Sequence, residues 1–341
     1  ALAAAPGGGE EDLAPELLLP HVRHPCTVRA ALAHFCDVSS APRKTLLRVL
    51  AEHAADPADK HRLLHLSSRG GKDAYSADIT QGQPSLLQVL TQHPSVKPPL
   101  AELLDSLPPL APRLYSLACA PAEFPDAVHV AFSVVSFTTP GGHPKAGVAT
   151  NWLDRTHGPQ AKAPGPALPV FLKGAGHFHP PEDVVGADMI MVGPGTGVSP
   201  FRGFLQARRA ALEGAGADQR RGQAWLFFGC RRRDEDYLYR EEFETMAAEG
   251  TITNLQTAFS REQDEKVYVT HRMLEHGKEL SALIMGGAYF FVCGDGAHMA
   301  KDVNKALVAI LEEHSGLKEK DVSAFVRNMT QQGKYVRDIW A

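Results

Sequence analysis

Residues 188–197 read DMIMVGPGTG, and this stretch decides the fold. Asp188 to Val192 is a short apolar run with the length of a buried strand. Gly193-Pro194-Gly195-Thr196-Gly197 is a glycine-rich turn, and Phe201 to Leu212 carries a helical pattern. Glycines let a backbone approach a phosphate closely. The helix N-terminus behind them offers unpaired N–H groups and a partial positive charge. Thr196 adds a hydroxyl. The string is therefore a candidate pyrophosphate cradle at the carboxyl end of a strand, where doubly wound sheets bind ligands. It departs from G-x-G-x-x-G, and taken alone it also reads as a plain tight turn.

Downstream the alternation continues. Strands are expected at Ala224–Phe228, Ile252–Ala258 and Ala288–Cys293, with helices at Tyr237–Glu249, Val269–Leu283 and Ala297–His314. Such alternation predicts a parallel, doubly wound α/β sheet. A last helix near Asp321–Thr330 precedes the tail Tyr335–Ala341. Chemistry gathers at the strand ends. Arg231 follows one strand; Ser260 and Arg261 follow the next, with Lys266 and Tyr268 behind them. A site selecting NAD places a carboxylate on the ribose hydroxyls. Here cations, a hydroxyl and a phenol stand instead, which favours a 2′-phosphate and hence NADPH. In isolation, Ser260–Tyr268 reads equally as a solvated charge run. Cys293-Gly294-Asp295 ends the third strand. Spacing alone favours a buried structural thiol; the functional reading sets Cys293 and a carboxylate against a nicotinamide ring.

Upstream, Val128–Phe137 (VHVAFSVVSF) and the shorter Arg113–Cys119 read as strands. Residues 138–181 are rich in Gly, Pro and His, with a short strand expected at Val170–Lys173. Arg113-Leu114-Tyr115-Ser116 offers a cation for phosphate, a flat aromatic face and a hydroxyl, a set that suits a flavin. Gly147-Val148-Ala149-Thr150 is a second turn with amides for a pyrophosphate. Each string also fits a core Tyr and an ordinary turn. From about 25 to 107 the pattern is helical, punctuated by Pro42, Pro57, Pro84, Pro94, Pro98 and Pro99. The expected division is 1–23 disordered, 24–110 helical, 111–183 a partial flavin-binding β domain, and 184–341 a nucleotide-binding α/β domain.

Composition excludes other classes. With 341 residues and 44% hydrophobic side chains the chain can bury cores. A net charge of −4 gives no global attraction for nucleic acid, though it hides the local cluster of Arg231, Arg261 and Lys266. Five cysteines, an odd number without a C-x-x-C, argue for a reducing, cytoplasmic setting. Sixteen histidines include no H-E-x-x-H, so no metal site is expected. No apolar run reaches the roughly 18 residues of a membrane span.

In this order the strings RLYS, GVATNWL, IMVGPGTGVSPFRGFLQ, FFGCRRRDEDYLYREEF, AFSREQDEKVYV, VCGDGAHMAKDV and KYVRDIWA resemble the C-terminal half of the NADPH-dependent diflavin reductases. That family is itself similar to ferredoxin–NADP reductase with a helical connecting domain inserted. The resemblance implies a flavin β-barrel, here partial, beside the doubly wound NADPH sheet. It implies FAD contacts from Arg113, Tyr115, Ser116 and Gly147–Thr150. It implies NADPH contacts from Gly195, Thr196, Arg231, Ser260, Arg261, Lys266, Tyr268 and Asp295. Ser116, Cys293, Asp338 and Trp340 match the hydride-transfer group, with Trp340 stacked on the flavin until nicotinamide enters. The family's FMN-binding domain, and the first strands of its FAD domain, are placed outside these residues.

Within the family, PRKTLLRVL, DPADKHRLLHL, VHVAFSVVSF, AWLFFGCR and the ending DIW favour the methionine synthase reductase branch. The implied acceptor is then cobalamin-bound methionine synthase. SREQDEKVYV and GVATNWL resemble the microsomal cytochrome reductase branch at least as closely, which makes a cytochrome the alternative acceptor; because the first FAD-domain strands fall outside these residues, a non-catalytic module that binds NADP(H) without FAD is the other alternative. Leu114, Ser199, Arg202, Thr270 and Ala341 depart from the family pattern.

Overall fold

The computed structural model describes residues 25–159, 161, 165, 167–216, 218–296 and 298–340. The segment 1–23, expected to be disordered, lies outside them. The described residues fall into two compact units, one drawn from Ala1–Leu114 and Val134–Ala167, the other from Tyr115–Ser133 and Leu168–Ala341.

The first unit is mostly helical. Its helices are α1 (Val28–His34), α2 (Lys44–Glu52), α3 (Pro57–Ser67), α4 (Lys72–Tyr75), α5 (Leu86–Gln92) and α6 (Leu100–Ser106), with a π-helical turn at Ser76–Gln81. Caps fix their starts. Thr27 Oγ1 accepts the Ala30 amide at 3.2 Å, and Asp56 Oδ1 accepts that of Ala58 at 2.9 Å, ahead of Pro57. Ser85 and Gln88 exchange bonds in a capping box. Leu46, Leu47, Leu50 and Ala51 of α2 recur at helical spacing and bury against Leu63, Leu66, Val89 and Leu104. Strands β1 (Ser136–Thr138) and β2 (Pro144–Ala146) pair antiparallel, and α7 (Val148–His157) follows.

The second unit is the expected α/β sheet. Its strands are β3 (Met189–Val192), β4 (Ala224–Cys230), β5 (Asn254–Phe259), β6 (Tyr289–Asp295) and β7 (Tyr335–Trp340). All neighbours are parallel, in the order β5-β4-β3-β6-β7. Helices α8 (Ser199–Glu213), α9 (Arg233–Asp236), α10 (Arg240–Ala248), α11 (Val269–Glu275), α12 (Gly277–Met285), α13 (Met299–His314) and α14 (Glu319–Gln331) connect them. Side chains alternate along each strand, so Phe290 and Val292 join one core with α11 to α14, while Phe291 and Cys293 join the other with α8 and α10. The chain steps outward from β3 to β5 and then returns to the other side of β3. The crevice between β3 and β6 is thus a topological switch point.

Four expectations change; the first is that the strand expected at Arg113–Cys119 is reduced to an isolated bridge at Leu117. The stretch Val128–Phe137 forms a ladder only at its end, within Ser136–Thr138, apart from a single Leu117–Val130 bridge. A strand needs a neighbour, and β-rich composition alone does not supply one. Val170–Lys173 has no regular structure. The helix expected over Val269–Leu283 is broken at His276, where Gly277 packs so closely on α13 that a Cβ would lie 2.8 Å from the His314 ring.

Candidate functional site

The Gly-rich turn sits at the switch point. Gly195 has φ +56, and no described atom lies within 4 Å of where its Cβ would stand. That conformation suits glycine and leaves an open backbone cradle. Gly197 is the opposite case, since a Cβ there would stand 2.1 Å from the Cys293 carbonyl oxygen. The turn after β3 therefore lies directly against the end of β6. The fit to a pyrophosphate is local: an open, left-handed glycine precedes a long helix, and Thr196 stands beside it.

Beside this turn, Ser116 Oγ donates to Asp338 Oδ2 at 2.5 Å, and Cys293 Sγ stands 4.0 Å from the same oxygen. The register of β6 and β7 sets Cys293 opposite Asp338 and Asp295 opposite Trp340. Cys293 is fully buried. Burial first, and the Asp338 charge second, push its thiol well above the ordinary range, so it is a neutral S–H. The Trp340 carbonyl accepts the Gly296 amide at 2.7 Å, which ties the end of β7 to the loop after β6, while 45% of Trp340 stays exposed. Three members of the expected hydride-transfer group thus meet, and the fourth lies two residues along the same strand.

The adenosine-end candidates follow from β4 and β5 being neighbours. The Ser260 amide donates to the Cys230 carbonyl and the Arg261 amide to that of Arg231, both at 3.0 Å. The Ser260 hydroxyl leans on the Cys230 carbonyl at 3.4 Å. Tyr268 caps α11 and is exposed, as is Lys266. Arg231 is already engaged, its Nε donating to Asp236 Oδ2 at 3.0 Å. Burial acts to raise the Asp236 carboxyl, but hydrogen bonds from Arg232 and Arg231 outweigh it and hold the group below the usual range. Burial, then the Asp236 charge, pushes the neighbouring Cys230 thiol up to about 12.

An open cleft of about 400 Å³ lies here, lined by Arg232, Arg233, Asp234, Glu235, Arg261 and Glu262. Of the expected residues only Arg261 lines it. Arg232 and Arg233 were not anticipated, although the run CRRR carried the signal. Arg232 pairs with Glu235 at 3.5 Å, and the Arg233 guanidinium lies 4.5 Å from the Phe259 ring centroid. Among the described residues Arg261 and Lys266 enter no ion pair, so both cations are available to a phosphate.

The flavin-side candidates divide between the units. In the first, Arg113 is exposed and donates to the Ala111 carbonyl at 2.6 Å. Gly147 opens α7, followed by Val148, Ala149 and Thr150; the Gly147 amide donates to the Val135 carbonyl at 2.8 Å, and Thr150 Oγ1 accepts the Val135 amide at 3.1 Å. A Cβ on Gly147 would press on both Thr150 and Val135, so this helix start is tightly set. In the second unit, Tyr115 lies 5.9 Å from the Phe132 ring and Ser116 meets Asp338. The cation and the amides thus belong to the first unit, and the aromatic ring and the hydroxyl to the second. Among the described residues no cluster of His, Cys, Asp or Glu could hold a metal, and no helix is long and apolar enough to cross a membrane.

Comparison with known proteins agrees with this chemistry. The FAD binding domain family matches residues 10–152, and the oxidoreductase NAD-binding domain family matches residues 191–305. The chain is 38% identical to human NADPH–cytochrome P450 reductase over 93% of its own length and 46% of the relative's. The house-fly (Musca domestica) NADPH–cytochrome P450 reductase is 36% identical over the same shares. Mouse methionine synthase reductase is 35% identical, covering 94% of this chain and 49% of that protein. The chain thus spans about half the length of the curated relatives it matches.

Proposed function

We propose that the chain is the FAD- and NADPH-binding half of an NADPH-dependent diflavin reductase, and that it takes hydride from NADPH onto FAD and passes electrons, by way of FMN, to a protein acceptor. The observation that carries the reading is the meeting of Ser116, Asp338 and Cys293 against the Gly-rich turn. FAD, when bound, accepts a hydride and gives up electrons one at a time. Every other part of the task falls to this chain's residues. Gly195 and Thr196 hold the NADPH pyrophosphate. Arg261, Lys266, Ser260 and Tyr268, with Arg231, hold the adenosine end and its 2′-phosphate, and Asp295 lies beside the turn. Arg113 and Gly147–Thr150 would hold the FAD pyrophosphate, and Tyr115 would offer an aromatic face to the flavin.

Asp338 supplies a fixed negative charge to a nicotinamide that turns cationic as it loses hydride. Ser116 Oγ orients that carboxylate, and the neutral Cys293 thiol packs beside it without adding charge. Trp340 covers the ring site and moves aside to admit nicotinamide. NADPH-driven bleaching of the bound flavin tests these roles in Asp338→Asn and Trp340→Ala. Unchanged rates in both variants would remove them.

For the acceptor, we favour cobalamin-bound methionine synthase, whose reduction together with methyl transfer restores the active cofactor. The similarity to mouse methionine synthase reductase supports it. A haem protein is the second reading, supported by the somewhat higher identity to the cytochrome P450 reductases. Reduction of each acceptor, measured side by side with the flavin-loaded holoenzyme, separates the two. A cytoplasmic setting accords with five cysteines that form no disulfide.

A further inference from the structure

Ser116 sits at the start of a segment with little ladder of its own. Within Tyr115–Ser133, Leu117 and Val130 form a single bridge, the Ala118 amide donates to the His129 carbonyl at 2.8 Å, and the His129 amide donates to Cys119 Sγ at 3.2 Å. One face of α8 holds this segment instead. Arg202 is only 9% exposed. Its Nε donates to Glu242 Oε2 at 2.5 Å, and its Nη1 donates to the Ala118 carbonyl at 2.8 Å and to His129 Nδ1 at 3.1 Å. Its guanidinium also lies 5.5 Å from the Phe124 ring centroid and 4.9 Å from that of Tyr239.

One turn on, the fully buried Gln206 donates to Glu242 Oε1 at 2.7 Å and accepts the Ala120 amide at 3.0 Å. A turn further, Arg209 donates twice to Glu123 Oε1, at 3.0 and 2.6 Å. Gly203 makes room for this approach, since a Cβ there would lie 3.2 Å from the Cys119 backbone. Both Glu242 oxygens are thereby satisfied by α8, and both Ala118 and Ala120 are held by their backbones.

We propose that Arg202, together with Glu242 and Gln206, is a positioning residue for hydride transfer: it fixes the Ala118–Ala120 backbone so that Ser116 Oγ meets Asp338. Two points support this over a purely stabilising role. A buried ion pair adds little net stability compared with apolar packing of the same volume, but it selects one arrangement of the groups it joins. The Arg202 contact falls on the Ala118 carbonyl, two residues from Ser116, in a segment without a sheet to set its register. Because α8 starts at the Gly-rich turn, the same helix sets both the nucleotide cradle and the hydroxyl that orients Asp338.

The inference rests on the proposed function for its catalytic part, and the tests separate the two. Arg202→Met removes the donors at similar length, Arg202→Lys keeps the charge, and Glu242→Gln keeps the packing should Arg202→Met fail to fold. Hydrogen exchange on the nucleotide-free protein is the first readout. Amides of Ala118 and Ala120 are expected to exchange faster in Arg202→Met, with Ile190 and Phe291 in the central strands unchanged. Flavin bleaching in the holoenzyme is the second. A displacement near 1 Å slows a positioned reaction about 100-fold, so Arg202→Met is expected to slow hydride transfer by about tenfold to 100-fold, with the NADPH dissociation constant unchanged, the NADPD isotope effect intact, and partial rescue by lysine. In a Ser116→Ala background the further loss is at most about twofold, as for residues acting through one another. Unchanged exchange at Ala118 and Ala120, or full additivity with Ser116→Ala, overturns the proposal. An unaffected rate in Ser116→Ala itself instead overturns the catalytic reading beneath it, while the exchange result still decides the clamp.

Discussion

Replacing Gly197 by alanine tests how tightly the nucleotide turn is seated. Its Cβ would stand 2.1 Å from the Cys293 carbonyl oxygen, 2.8 Å from the carbonyl carbon and 3.2 Å from Gly294 Cα. All three are backbone atoms at the end of a central strand, so no rotamer change relieves the contact. Ordinary contact between heavy atoms begins near about 3.5 Å, so the turn and β6 must part by more than about 1 Å. Overpacking of this kind costs about 1–3 kcal/mol and sometimes more; with rigid partners on both sides we expect about 3 kcal/mol. Gly195→Ala is the matched control. Gly195 has φ +56 but open space around its Cβ, so only the left-handed backbone cost of about 1–2 kcal/mol applies. At about 2–4 °C per kcal/mol for a domain of this size, Gly197→Ala lowers the melting temperature by about 6–12 °C and Gly195→Ala by about one third to two thirds as much. Thermal unfolding of the two variants side by side is the assay. Equal losses, or a larger loss at Gly195, would refute the close seating of the turn against Cys293.

Ser116→Ala removes a charge-assisted hydrogen bond to a part-buried carboxylate, worth about 1.5–3 kcal/mol, so stopped-flow hydride transfer is expected to fall about tenfold to 100-fold without a change in NADPH affinity. Arg261→Ala, tested by steady-state kinetics, is expected to raise KM for NADPH about tenfold or more and leave that for NADH unchanged, because only the 2′-phosphate is lost as a partner. The Cys293 thiol is raised in the folded state, by burial and then by Asp338, above its unfolded value near about 8.5. Its contribution to stability is therefore complete below that pH and is lost as pH rises above it. Melting temperature measured across pH 8–10 should fall less steeply in Cys293→Ser, and an identical slope would contradict the assignment. Arg208→Met strands buried carbonyls of Thr251, Val184, Val185 and Gly222 at about 1–3 kcal/mol each, and denaturant titration should show a loss above about 3 kcal/mol.

The α/β sheet was legible because its strands are buried on both faces and so appear as unbroken apolar runs, such as Ala224–Phe228 against the observed Ala224–Cys230. The Gly-rich turn was legible for a related reason, since two demands, a left-handed φ at Gly195 and a close approach at Gly197, write glycine into the sequence. The segment Val128–Phe137 misled because strand-forming side chains record a preference for a pleated surface, not the presence of a neighbour. The 2′-phosphate candidates were found by residue type, yet Arg231 is held by Asp236 and the cleft is faced by Arg232 and Arg233. Which of three successive arginines faces a cleft depends on how the chain leaves β4, and no pattern in the string records that. The clamp on Tyr115–Ser133 was illegible because its members lie far apart, with Arg202 meeting Ala118 84 residues away and Glu242 40 residues away.

The tail is where sequence and structure inform each other most. Tyr335–Trp340 alternates buried and exposed positions too weakly to be read as a strand, yet it completes the sheet as β7 beside β6. Parallel pairing in that register is what places Asp338 opposite Cys293 and Trp340 opposite Asp295. The spacing of these side chains is therefore a consequence of backbone hydrogen bonding and not of side-chain search. A slip of one residue would turn Asp338 to the other face of the sheet and bring Arg337 or Ile339 to the thiol instead. Val336 opposes that slip by burying among Phe291 and Cys293 on one face, and Tyr335 by packing on Phe290 at 5.5 Å on the other. Two buried residues at the start of the strand thus hold the register of the carboxylate and the indole that follow. Substitutions at Tyr335 or Val336, though remote from any cofactor contact, should disturb hydride transfer through the position of Asp338.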